Sequence, residues 1–124
     1  MNRITFETLL IYHDLIINAT GGLPGVKNES LLISSLETPF ITFGGEDLYP
    51  TDELKIAMTI YSLINNHGFN DANKRTGMLV FKILLELNNI DIEATEDEYI
   101  QLALDIANRF NKYDIVNWIN NHKK

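Results

Sequence analysis

TDELKIAMTIYSLINNHGFNDANKRTGMLVFKILLEL, residues 51–87, decides the fold. Thr51 can cap a helix running to about Asn65, in which Leu54, Ile56, Ala57, Met58, Ile60, Tyr61, Leu63 and Ile64 cover more than one face. That helix reads as central. GMLVFKILLEL (77–87) is apolar nearly all round, with Lys82 and Glu86 as its polar edge one turn apart, and reads as a second central helix. Between the two, NHGFNDANKRTG (66–77) crowds a histidine, an aspartate, asparagines, a lysine and an arginine into one turn. A polar turn joining two core helices lies at an end of the core, where it is open to solvent yet rigidly held.

Working outward, Phe6, Leu9, Leu10, Ile16 and Ile17 recur at helical spacing and stop at Gly21-Gly22, a first helix with a glycine end. GGLPG then makes a turn, Asn28 can cap, and ESLLISSLE forms a short helix before Pro39. Between Pro39 and Pro50, FITFGGEDLY is too broken for a helix and reads as a hairpin or exposed flap. Beyond Asn88-Asn89, IDIE alternates too briefly for a sheet, and Thr95 with Glu98 forms a capping box opening a helix to about Asn108. Ile115, Val116, Trp118 and Ile119 mark a last amphipathic piece. No strand run is long enough for a β core, so the expected fold is all-α. It is a compact bundle of about six helices with a short flap hairpin, one domain over residues 1–124.

Composition narrows the function. Hydrophobic residues make up 45% and charged residues 22%, an ordinary globular balance. A net charge of -7 argues against a broad nucleic-acid or anionic-membrane surface. Cysteine is absent, which removes disulfides, thiolate chemistry and sulfur-bound zinc. The first twenty residues carry Glu7, His13 and Asp14 at helical spacing, unlike a signal peptide, and no apolar window approaches the roughly 18 residues of a membrane span. A cytoplasmic protein is expected, with neither nucleic acid nor membrane as partner.

The helix beginning near Asn73 presents unpaired N–H groups and a positive dipole end to the polar turn, which favours a bound anion such as phosphate. Lys74 and Arg75 at that helix start are unfavourable by about a few tenths of a kcal/mol, a conflict an anion would relieve. Asp71 supplies a hard carboxylate oxygen suited to Mg²⁺, His67 a side chain for proton transfer, and Phe69 an apolar plug that would fix the loop in the core. These are the parts of a phosphoryl- or nucleotidyl-transfer site. Taken singly, Asp71 is explained as a cap, Lys74 and Arg75 as solvated charges. No capping scheme needs all of them in one turn. His13, on the apolar stripe of the first helix, reads as a packed, hydrogen-bonded histidine, and His122 as part of a frayed HKK tail.

HGFNDANKRTG (67–77) resembles the signature of the Fic/Doc superfamily, of general form H-[PX]-F-x-[DE]-[GA]-N-[GK]-R, and its A-N-K-R-T version is similar to the Doc ("death on curing") toxin branch. GGLPG (21–25) and FGGEDLYP (43–50) are similar to segments found before the motif in Doc-like proteins. The resemblance implies a catalytic role for His67 as general base, with Asp71, Lys74 and Arg75 beside it, Mg²⁺ on Asp71, and Phe69 as buried anchor. It puts Gly68, Asn70, Asn73, Lys74 and Arg75 at the nucleotide, ATP. It makes Phe43, Gly44, Gly45, Glu46, Asp47, Leu48 and Tyr49 a flap on which an extended target segment aligns by backbone pairing. AMP-transferring members have glycine where Lys74 stands; a side chain there must change the nucleotide pose. The resemblance therefore implies γ-phosphate transfer to a threonine of elongation factor Tu, arresting translation, with AMP transfer as the rival. Gly68 and Ala72 depart mildly, as small residues, from the proline and glycine of many members. It also implies an antitoxin whose helical tail fills a groove; no [ST]-x-x-x-E-[GN] inhibitory helix is present, so control in trans is expected. Two other classes stay open: a nucleotide- or partner-binding module without turnover, and a metal-dependent nuclease, which the net charge disfavours.

Overall fold

The computed structural model describes residues 1–124. Six helices appear in chain order: α1 (Phe6–Thr20), α2 (Glu29–Glu37), α3 (Asp52–Asn65), α4 (Asn73–Leu87), α5 (Glu96–Asn108) and α6 (Lys112–His122). A 3-10 turn over Thr38–Phe40 leads into two short antiparallel strands, β1 (Thr42–Phe43) and β2 (Glu46–Asp47). The fold is all-α with a small hairpin, as the sequence implied. The caps explain the boundaries: Thr5, Asn28, Thr51, Thr95 and Asn111 each accept a first-turn N–H, and Thr95 with Glu98 closes a reciprocal capping box.

At the centre, α3 packs on α4. Ile56, Ile60 and Ile64 of α3 and Val80, Phe81 and Leu84 of α4 are all 1% exposed or less, within one core that α1, α2, α5 and α6 complete. The crossing is close because residue 77 is glycine: a Cβ there would lie 2.7 Å from Ile64 Cγ1. A close, rigid crossing matters because the connection between these two helices carries the polar motif.

One sequence expectation needs correction. The C-terminal tail is not frayed. His122 belongs to α6, with Nδ1 2.7 Å from the Trp118 carbonyl oxygen and Nε2 2.8 Å from Glu98 Oε2, and its ring stacks on Trp118. The Glu93 N–H donates to the His122 carbonyl, and Ile92 pairs with Lys123, so IDIE finds its partner in the chain end. Proximity in sequence could not reveal that partner. On the polar edge of α4, Lys82 lies 3.6 Å from Glu96 and 4.3 Å over the Tyr99 ring, tying α4 to α5.

Candidate active site

The connection from Asn66 to Ala72 leaves α3 and enters α4 through two residues of left-handed backbone, His67 at φ 51° and Ala72 at φ 63°. Neither is glycine, so each conformation costs roughly 1–2 kcal/mol and persists only because the surroundings enforce it. Phe69 supplies much of that enforcement. It is 2% exposed, stacked face to face on His13 with centroids 3.8 Å apart and planes 3° from parallel. His13 is itself buried, and its Nε2 lies 2.9 Å from the Asp71 carbonyl oxygen. The histidine read from sequence as a packed core residue is packed, and what it packs is the motif loop.

Asn73 adds an internal brace. Its Oδ1 accepts the Phe69 N–H and its Nδ2 donates to the Phe69 carbonyl, both at 3.1 Å, so the side chain expected at the nucleotide holds the loop's own backbone. Gly68 has a similar structural task. A Cβ there would fall 2.4 Å from Leu32 Cδ2, and Leu32 is 1% exposed; the Gly68 carbonyl accepts N–H bonds from Lys27 and Asn28 at 2.9 Å. Gly68 is buried against α2, behind the surface that the polar side chains line, where the sequence reading put it at the nucleotide.

The segment Gly21–Asn28 proves to be the loop's second wall; the sequence reading had it as a turn similar to a Doc-like segment, followed by a cap at Asn28. Asn70 donates from its backbone to Gly25 and from Nδ2 to Pro24, and Val26 bridges Phe69. Gly22, at φ 121°, lets this wall approach: a Cβ would sit 2.7 Å from Asp71 Oδ2. The visible signal was the paired glycine itself, read as a helix stop.

His67, Asn70, Asp71, Ala72, Asn73, Lys74 and Arg75 surround one depression of about 260 Å³. None of the flap residues 43–49 lines it. The Leu23 N–H donates to Asp71 Oδ2 at 3.0 Å and the Ala72 N–H to Oδ1 at 2.8 Å; these two bonds, with the Arg75 and His13 charges, hold the Asp71 carboxyl below its ordinary range. Asp71 is therefore a carboxylate throughout the neutral range, with lone pairs left on both oxygens. Ala72 caps α4 without a side-chain acceptor, and the N–H groups of Asn73, Lys74 and Arg75 have no protein partner. These open donors and one ionised carboxylate fit an anion together with a hard divalent cation that keeps phosphate and water as its other ligands.

The two cations separate. Arg75 donates to the Thr20 hydroxyl and to the Gly21 carbonyl at 2.8 Å, with Asp71 Oδ1 3.8 Å away. It thus occupies the negative end of α1, whose last turn has no basic residue of its own. The conflict that an anion was expected to relieve is thus relieved for Arg75 by the end of α1. Lys74 is exposed and makes neither hydrogen bond nor ion pair, so it is the free cation of the site.

The flap is held from behind and open in front. Gly44 and Gly45, at φ 60° and 83°, form the two-residue turn, and Phe43 is 83% exposed. Lys55 at the start of α3 contacts Asp47 and the Tyr49 carbonyl.

Residues 3–85 match the Fic/DOC family, and the chain belongs to it. Relatives include "Toxin Doc" of Mycolicibacterium smegmatis (strain ATCC 700084 / mc(2)155), 33% identical over 90 residues that span 73% of this chain and 68% of the relative. "Protein kinase doc" of Escherichia phage P1 is 29% identical over 93 residues, 74% of this chain and 72% of that protein. No helix is long and apolar enough to cross a membrane.

Proposed function

We propose that this chain is a Doc-type toxin that transfers the γ-phosphate of ATP, with Mg²⁺, to a threonine hydroxyl of elongation factor Tu and so arrests translation. The observation that carries the reading is a single depression holding one ionised carboxylate, one exposed histidine, one unpaired lysine and three N–H groups without a protein partner. The kinship with a phage protein named for kinase activity supports the phosphoryl over the AMP reading, as does Lys74, whose side chain occupies the space beside the helix start.

In this reading the three N–H groups and Lys74 bind the terminal phosphate groups, and Asp71 holds Mg²⁺, which would neutralise charge on those phosphates. His67 takes the proton from the acceptor hydroxyl as its oxygen bonds to phosphorus and the bond to ADP breaks. Asn73, Phe69 and His13 keep the backbone of the loop in place so that donors and base stay in register. The flap orders the acceptor segment by edge pairing.

The antitoxin reading has a surface to match. A groove of about 370 Å³ runs between α1, α4 and α5, with Ile16, Met78, Ile100 and Leu104 along it and Lys74 and Arg75 at its end. An amphipathic helix with acidic residues would fit it, and its end would reach the depression and block the phosphates.

Intact-mass spectrometry of elongation factor Tu after incubation with the protein, Mg²⁺ and ATP tests the proposal, with His67→Ala as control. A gain of one phosphate, lost in the variant, is expected. A gain of AMP would overturn the argument from Lys74 while leaving the site; no mass change would remove elongation factor Tu as target.

A further inference from the structure

The flap raises a separate question: what holds two strands of two residues each in place when every residue of both is exposed? A two-stranded hairpin of that size has no stability of its own in water. One side chain reaches it from the core. Lys55 is 6% exposed, yet it sits in the first turns of α3, where a cation opposes the helix dipole, and burying an ammonium is costly unless it is paired. Its Nζ lies 3.0 Å from Asp47 Oδ2, donates also to the Tyr49 carbonyl, and lies 6.0 Å from the Phe40 ring. Both hydrogen bonds of this ammonium are thus to the hairpin's outgoing arm.

The register gives the contact meaning. Thr42 stands opposite Asp47 and Phe43 opposite Glu46, and the Leu48 N–H bonds to the Ile41 carbonyl at 3.0 Å. In an antiparallel pair, hydrogen-bonded and non-bonded rungs alternate. Ile41 with Leu48 and Phe43 with Glu46 are the bonded rungs, so the N–H and C=O of Thr42 point away from β2, to the open edge. Thr42 is the only β1 residue whose backbone can pair with an incoming strand. Its cross-strand neighbour is Asp47, the residue that Lys55 grips. Because side chains alternate between faces, Asp47 turned toward the body leaves Phe43 and Glu46 turned outward.

We infer that Lys55 is a positioning residue: by pinning Asp47 and the Tyr49 carbonyl it fixes the docking rung at Thr42 and thereby the register of the bound target segment. This rests on the proposed role of the flap in target docking, and the test separates the two.

Amide exchange followed on the intact chain decides the anchor. In Lys55→Met, which keeps the length of the stem and removes the charge, exchange of Glu46 and Leu48 amides should quicken by roughly tenfold or more, with α4 amides unchanged. Asp47→Asn approaches the contact from its half-exposed partner and should quicken the same amides, which covers the case of a Lys55→Met chain that does not fold. Unaltered flap exchange in the variants would overturn the inference. In transfer assays KM for the acceptor protein should rise several-fold while KM for ATP and kcat hold; faster flap exchange with an unchanged acceptor KM would overturn the docking role. A wild-type chain that transfers nothing would count against the proposed function, and the exchange result would still decide the anchor.

Discussion

The motif loop and the flap flank the same helix, α3, and are built on opposite plans. In the loop, Phe69 is buried, its ring is covered by His13, its backbone is bracketed by Asn73, and a second strand of chain, Gly21–Asn28, is bonded along one side. The side chains of Asn70, Asp71 and Asn73 there spend hydrogen bonds on the protein itself. In the flap, β1 and β2 are exposed throughout, the turn is two glycines, and the core makes two polar contacts, both through Lys55. Chemistry that depends on a donor or base held within a fraction of an ångström needs the first plan. A surface that must accept a chain from outside needs unpaired edge groups, which the second plan leaves open.

The largest effect that would break the comparison is at His67. His67→Ala should lower transfer by roughly 10²- to 10⁴-fold, the usual contribution of a general base, with circular dichroism and thermal midpoint unchanged because the side chain is exposed. Retained transfer would remove His67 as base. Next is His13→Ala, which deletes a buried ring from the face of Phe69 and leaves the Asp71 carbonyl without its donor; a loss of about 2–4 kcal/mol is expected in denaturant melts. His13→Gln, still a donor, should recover part of it, and equal losses would argue that packing alone matters.

Gly68→Ala should cost about 1–3 kcal/mol, since its Cβ would meet the buried Leu32, and Leu32→Ala in the same chain should make the two changes less than additive. Full additivity would show that the collision is relieved elsewhere. The flap sets the lower end of the scale. Phe43→Ser, on an 83% exposed side chain, should shift stability by no more than about 0.5 kcal/mol and is read out against transfer, where acceptor KM is expected to respond.

Acid sharpens the same contrast. Leu23 and Ala72 N–H groups hold the Asp71 carboxyl below its ordinary 3.8, and the Thr95 N–H with His122 holds Glu98 below 4.5. In both cases the fold favours the ionised form, so the stabilisation is fully present above those ordinary values and is lost as pH falls through the lower folded ones. The thermal midpoint should fall on that acid limb, and Asp71→Asn should flatten it; an identical limb in the variant would show that Asp71 carries no part of it.

Much of this was legible from residue order. Helix ends followed from Thr51, Asn28, Thr95 and the glycine pair, because a cap bonds to N–H groups only two or three residues away. The candidate site residues His67, Asp71 and Lys74, which line one depression, were legible for the same local reason: they stand in one turn between two apolar helices, so sequence spacing alone brings them together. What sequence could not supply were partners distant along the chain. His13 meets Asp71 across 58 residues, Arg75 meets Gly21 across 54, and His122 meets Glu98 across 24. Even the short step from Lys55 to Asp47 was hidden, since a lysine early in a helix looks solvated until the packing of α3 buries it. Local hydrogen bonds and hydrophobic period are properties of neighbouring residues, and the sequence by itself determined those. Which helix ends meet, and so which charges neutralise one another, depends on how the core closes, and only the tertiary structure decided that.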